Sequence, residues 1–148
     1  MPHGGFMNEL NMGSVEGPFF RARLHIRGGK RRLRQGKTAA GIVTLYDALL
    51  GAMEWYVNAS EHRSRLAAGQ DVDLKNDRSV YAMLVRSGVL DGKFDFSGFE
   101  ELAETALNGE IPAYDYRELL AGIESVMTQL GVMPFDEASL PPEDPRTF

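Results

Sequence analysis

The sequence predicts an all-α protein: a single compact bundle of about five helices, with an irregular N-terminal arm and a proline-rich extended C-terminal tail. Three observations carry this. Apolar residues recur at helical spacing in two long runs, 38–59 and 115–130. Capping residues open the segments and glycines close them. There is no clear parallel-strand pattern, and no repeat period is visible. The 148 residues suit one domain that buries a core without staples. The expected organisation is a flexible arm over 1–17, a helical bundle over 18–131 and an extended tail over 132–148.

The arm, residues 1–17, scatters four glycines among Met and Asn with no sustained period. Residues 18–35 carry two signals. Phe20, Ala22, Leu24 and Ile26 alternate with charged residues, as in a strand. Phe19, Ala22, Ile26, Gly29 and Leu33 recur every three or four residues, as in a helix. Helix is favoured because no partner strand follows, and Pro18 suits a first helical turn. Gly36 breaks the chain, and Thr38 is placed to cap the central helix. On it, Ala39, Ile42, Leu45, Tyr46, Leu49, Met53 and Tyr56 form an apolar face that Val43, Leu50 and Val57 widen. So broad a face requires cover on more than one side.

Residues 61–68 read as a continuing or restarted helix and 69–76 as a loop. Asp77 is expected to cap a short helix over 78–87 that Gly88 stops. Residues 89–96 form a connector. Ser97 with Glu100 makes a capping box for a helix over 98–107, and Asp115 with Glu118 makes a second for a helix ending at Leu130 before Gly131. The tail has four prolines in seventeen residues and is no long helix. Its Val132, Met133, Phe135, Leu140 and Phe148 suit a strap lying in a groove.

Charge is unevenly spread. The net charge is -5. Residues 18–37 nevertheless hold Arg21, Arg23, Arg27, Lys30, Arg31, Arg32, Arg34 and Lys37 with no acid, whereas residues 79–148 hold four bases and thirteen acids. A basic segment lying against acidic helices, within one chain or between two, is the first explanation. An exposed face for anions or nucleic acid, with those eight residues as contacts, is the second. A solvated charged surface is the third. With no cysteine, disulfides and thiolate zinc sites are excluded. No apolar run approaches the roughly 18 residues of a membrane span, and no leader pattern opens the chain. A cytoplasmic location is the expectation.

No complete chemical motif is present. Gly36-Lys37-Thr38 at a helix start has the ending of a phosphate loop, but Arg31 stands where the first glycine belongs. An anion at this basic helix N-terminus remains compatible. Counting Asp71 as the first ligand of a calcium loop places Lys75 fifth and Ala82 twelfth. Aligning Asp91–Phe96 with the second half of such a loop puts Ser87, Val89 and Gly98 at ligand positions. Neither set coordinates a hard cation. His3, His25 and His62 are not spaced for a metal and mark no base beside a nucleophile. Glu100, Glu101, Glu104, Glu118 and Glu124 lack the histidine partners of a helical dimetal site and read as a solvated or ion-paired face. No catalytic, cofactor or metal residue is assigned.

A helix with small residues, the Gly36-Lys37 break, then Ala40, Leu45-Tyr46-Asp47-Ala48 and Ala52 resembles the central helix pair of HEPN-like bundles. The resemblance spans residues 19–58, with 116–130 as a final helix. Its RNA-cleaving members carry an Arg, four to six residues, then His. Here Arg21 precedes His25 by three intervening residues, so the resemblance implies a non-catalytic member that binds or assists a partner. The functional expectation is a non-enzymatic interaction or accessory protein that self-associates as a homodimer. Nucleic-acid or anion binding by residues 21–37 is the alternative.

Overall fold

The computed structural model describes residues 13–66 and 72–148. Its first two helices, α1 (Gly13–Arg34) and α2 (Thr38–Asn58), form a hairpin and share the most extensive helix contact in the fold. The strand signal in residues 18–35 is overridden: the segment is helical through Arg34. Ala22, Ile26 and Leu33 fall on one side of α1 and are buried against α2. Pro18 lies inside α1 instead of in its first turn, because the helix already starts at Gly13. Residues 1–12 of the expected arm lie outside the described residues. Gly36 takes φ +78° in the turn between the helices, where a side chain is disfavoured.

The hairpin is tight because glycines face each other. A Cβ on Gly29 would lie 2.7 Å from Leu45 and 3.3 Å from the Gly41 carbonyl oxygen. A Cβ on Gly41 would lie 2.8 Å from Leu33 and 3.1 Å from the Gly29 carbonyl oxygen. At the other end, a Cβ on Gly51 would lie 3.1 Å from the Pro18 carbonyl oxygen. The two backbones therefore approach closely at both ends of the hairpin.

Helix α2 is the centre of the molecule, as the breadth of its apolar face requires. Ile42, Leu45, Ala48, Leu49 and Ala52 are fully buried. Helices α3 (Asp77–Arg86), α4 (Phe96–Leu107) and α5 (Arg117–Gln129) complete the cover. A 3-10 helix, Ser60–Arg65, follows α2 in place of the expected α-helical continuation. His62 anchors it. Its Nδ1–H donates to the Tyr56 carbonyl at 2.8 Å, and its ring stacks on Tyr56 at 3.8 Å. Among the described residues no strand occurs, and no helix is long and apolar enough to cross a membrane.

The caps differ from expectation by short steps. Asn76, not Asp77, caps α3 by accepting from the Ser79 N–H. Asp95, not Ser97, caps α4 by accepting from the Gly98 N–H at 3.0 Å. In each case a carboxylate or amide one or two residues upstream serves as the acceptor, a residue type equally suited to the cap. Thr38 makes no cap on α2. Instead Glu110, from the loop between α4 and α5, accepts the Ala39 N–H at 2.7 Å. At α5 the Asp115 carboxylate accepts the Arg117 N–H at 3.1 Å. The tail is the extended strap that its prolines imply, with two short 3-10 turns at Glu137–Ser139 and Pro145–Thr147. Val132 and Leu140 are buried in it, whereas Phe148 is half exposed.

The packing separates two adjacent glycines. Gly29→Ala gains roughly 1 kcal/mol of helix propensity but drives a methyl group into Leu45 and toward the Gly41 backbone, which costs about 1–3 kcal/mol. Net destabilisation is expected, seen as a lowered urea midpoint. Gly28→Ala meets only the mobile end of Arg32, at 3.0 Å, and should be neutral or stabilising by up to about 1 kcal/mol. Equal midpoints for the two variants would contradict a backbone contact at Gly29.

Candidate functional site

Among the described residues, three surfaces collect chemistry-bearing side chains. The first is the basic face of α1. Its charges are used inside the chain. Arg31 is buried and its Nε donates to Glu143 at 2.6 Å, while its Nη1 donates to Gln35 at 2.9 Å. Arg27 lies 3.6 Å from the same carboxylate group. Lys30 sits between Glu124 of α5 at 3.2 Å and Glu137 of the tail at 3.6 Å. Arg23 donates to the Val132 carbonyl at 3.0 Å, and its guanidinium lies against the rings of Phe19 and Phe135. Phe148 covers Arg31 with its ring centroid 4.4 Å from the guanidinium carbon. The tail thus meets α1 through carboxylates and aromatic rings, both of which suit arginine.

The remaining basic residues divide. Arg21 and His25 turn toward α2, where both meet Asp47, and Arg21 also reaches Glu54 at 4.0 Å. Arg32 lies beside Thr44. Burial lowers its pKa, as does the neighbouring Arg31, with Glu143 acting in the opposite sense. Burial likewise lowers that of Arg23. Arg34 and Lys37 are exposed at the hairpin turn. The eight basic residues therefore do not converge on one open face. The anion position at the start of α2 is filled by the chain's own Glu110.

The second surface is a groove of about 720 Å³ between α4 and α5. Phe94, Phe99, Leu102, Leu119 and Val126 are its apolar lining. Gly122 lets the Phe94 ring lie directly against α5, since a Cβ there would lie 2.7 Å from that ring. Asp91, Asp95, Asp115 and Glu118 stand on its rim with Lys93. Asp91 and Asp95 also hold their own turns by accepting the Lys93 and Gly98 N–H groups. Asp91-Gly92 is thus a turn, with Gly92 at φ +78°. Hydrogen bonds from the Arg117 side chain and backbone, and its positive charge, hold the Asp115 carboxyl down to about 2.

A smaller groove of about 360 Å³ lies on the other side of α4, lined by Val43, Tyr46, Arg78, Glu100, Glu101, Ala103, Glu104 and Leu107. There the Tyr46 hydroxyl donates to Glu100 at 3.3 Å, and Arg78 pairs with the same carboxylate. Burial, then the Glu100 charge, raises the Tyr46 pKa far above its ordinary value. The same two causes raise that of Asp77. The helical glutamates therefore divide between ion pairs and solvent. Among the described residues no three acids or histidines gather as a metal site.

In sequence the residues of the larger groove read as helix core, caps and a rejected calcium loop, not as one site. The available signal was Gly122, a glycine in the middle of an otherwise regular apolar helix pattern. Glu110 offered none, since its contact is with a residue 71 positions away.

Glu143→Gln should destabilise the protein by about 1–2 kcal/mol, because two part-buried guanidinium groups lose their carboxylate. Glu104→Gln, at an exposed position, should change stability by less than about 0.5 kcal/mol. Urea unfolding of both variants checks the contrast. Asp115 should stay ionised down to about pH 2. Its pairing contributes above the ordinary carboxylate range and is lost as pH falls through that value. Arg117→Ala should return the Asp115 titration toward about 3.9, read by carboxyl-carbon NMR. An unchanged midpoint would rule out Arg117 as the cause.

No family model, curated protein or solved structure matches the chain.

Proposed function

We propose that the protein is a non-enzymatic interaction or accessory module that engages another protein through the α4–α5 groove. The supporting observation is a groove lined by Phe94, Phe99, Leu102, Leu119 and Val126 whose charged residues, Asp91, Lys93, Asp95, Asp115 and Glu118, are all exposed. Buried, convergent polar groups are the usual mark of a site for a small polar substrate. His25 with Asp47, and His62 with Tyr56, lie in neither groove. One ground for expecting a homodimer, the broad face of α2, is buried in or packed against the core of the chain itself. A separate protein is therefore favoured over a second copy.

The nucleic-acid alternative is disfavoured by the placement of Arg23, Arg27, Lys30 and Arg31 beneath the acidic tail. Neither single-stranded RNA nor duplex DNA should shift in a gel at about 50 mM salt, where phosphate contacts are strongest. A shift abolished by Arg34→Ala with Lys37→Ala would restore that alternative.

The interaction reading is tested by placing a photo-crosslinking residue at Leu119 and, as a control, at Arg34, in the native cells. Protein adducts should form from position 119 and not from position 34. Absence of any adduct from position 119 would overturn the reading.

A further inference from the structure

Resting on that interaction reading, we infer that the α4–α5 groove takes an amphipathic protein segment with apolar side chains on one face and Lys or Arg beside them. Two features of the groove select this occupant. Phe99 and Val126 are almost fully buried and form a fixed floor, while Phe94, Leu102 and Leu119 are only partly covered and present apolar walls. A trough between two helices, about 720 Å³ in volume, accepts side chains spaced along a helix better than it encloses a compact molecule.

Charge supplies the second feature. Asp91 and Asp95 come from the loop before α4, and Asp115 and Glu118 come from the start of α5. Acidic groups therefore enter the rim from two separate segments. Lys93 and the Arg117 partner of Asp115 offset part of this charge, and the rim stays net acidic. A basic segment gains complementary charge there, while an acidic one of the same hydrophobicity is repelled. Glu118 is exposed, so its charge can be reversed without burying a lysine.

The test uses the full chain and two fluorescent peptides of about sixteen residues that differ only in charge, since helix-in-groove recognition reads spaced apolar anchors. One is a Leu/Lys amphipathic helix and the other its Leu/Glu counterpart. Fluorescence anisotropy at low salt should show the Leu/Lys peptide bound at least tenfold more tightly, with the difference shrinking as salt screens the rim. Glu118→Lys should weaken it about fivefold or more, and Leu119→Asn should weaken both peptides. Glu104→Lys reverses an acid of the smaller groove and should leave the affinity unchanged, which separates the groove from general attraction to an acidic protein. Equal binding of the two peptides, or equal losses for Glu118→Lys and Glu104→Lys, would overturn the proposal. So would failure of both peptides to bind. If the position-119 adducts persist in that case, the occupant class is wrong and the interaction reading stands. If the adduct is a second copy of this chain, the inferred occupant is replaced by self-association.

Discussion

The close approach of α1 and α2 is the constraint on which the rest of this structure depends. Gly29 and Gly41 remove the side chains that would otherwise hold the two backbones apart, and Leu33 and Leu45 fill the space beside them. Such an approach gives each helix extensive contact with the other. It also fixes the rotation of α1 about its axis. Ala22, Ile26 and Leu33 must then face α2, and Arg23, Arg27, Lys30 and Arg31 must face the tail. The basic face is a geometric consequence of the glycine contact.

That orientation explains the charge asymmetry of the chain. An arginine-rich helix face costs free energy to bury unless acceptors come with it. Here Glu143 meets two arginines, Glu124 and Glu137 meet Lys30, and the aromatic rings of Phe135 and Phe148 cover guanidinium groups. The proline-rich tail suits this task because its backbone needs no ladder of its own, and Val132 and Leu140 give it apolar anchorage. Such ion pairs contribute modestly to stability in water, so their effect is as much on where the tail lies as on how firmly it is held. With the basic face occupied, the acidic helices α4 and α5 present the larger of the two grooves described.

Much of the fold was legible in the residues. The spacing of Ile42, Leu45, Leu49 and Met53 defines α2 and its central position, because a face that broad has no stable place at a surface. Gly88 and Gly131 stop their helices with φ of +77° and +85°. The caps of α3 and α4 were legible to within one or two residues, since Asn76 and Asp77, or Asp95 and Ser97, are chemically alike as acceptors, whereas the expected Thr38 cap does not form. The start of α1 at Gly13 was not, because Gly17-Pro18 reads locally as a boundary. The candidate groove was hardly legible at all. Its floor residues are indistinguishable in sequence from any other core residues.

By itself, then, the sequence determined the helical class, the central helix and the opposed charges of its two halves, because periodicity, helix stops and formal charge are local properties of the chain. Only the tertiary structure decided what those charges face. Glu143 meets Arg31 across 112 positions, and Glu110 caps Ala39 across 71. No local pattern encodes such pairings. They follow from the depth at which two glycines let α1 and α2 meet, which sets where the acidic tail lies and leaves the α4–α5 groove open.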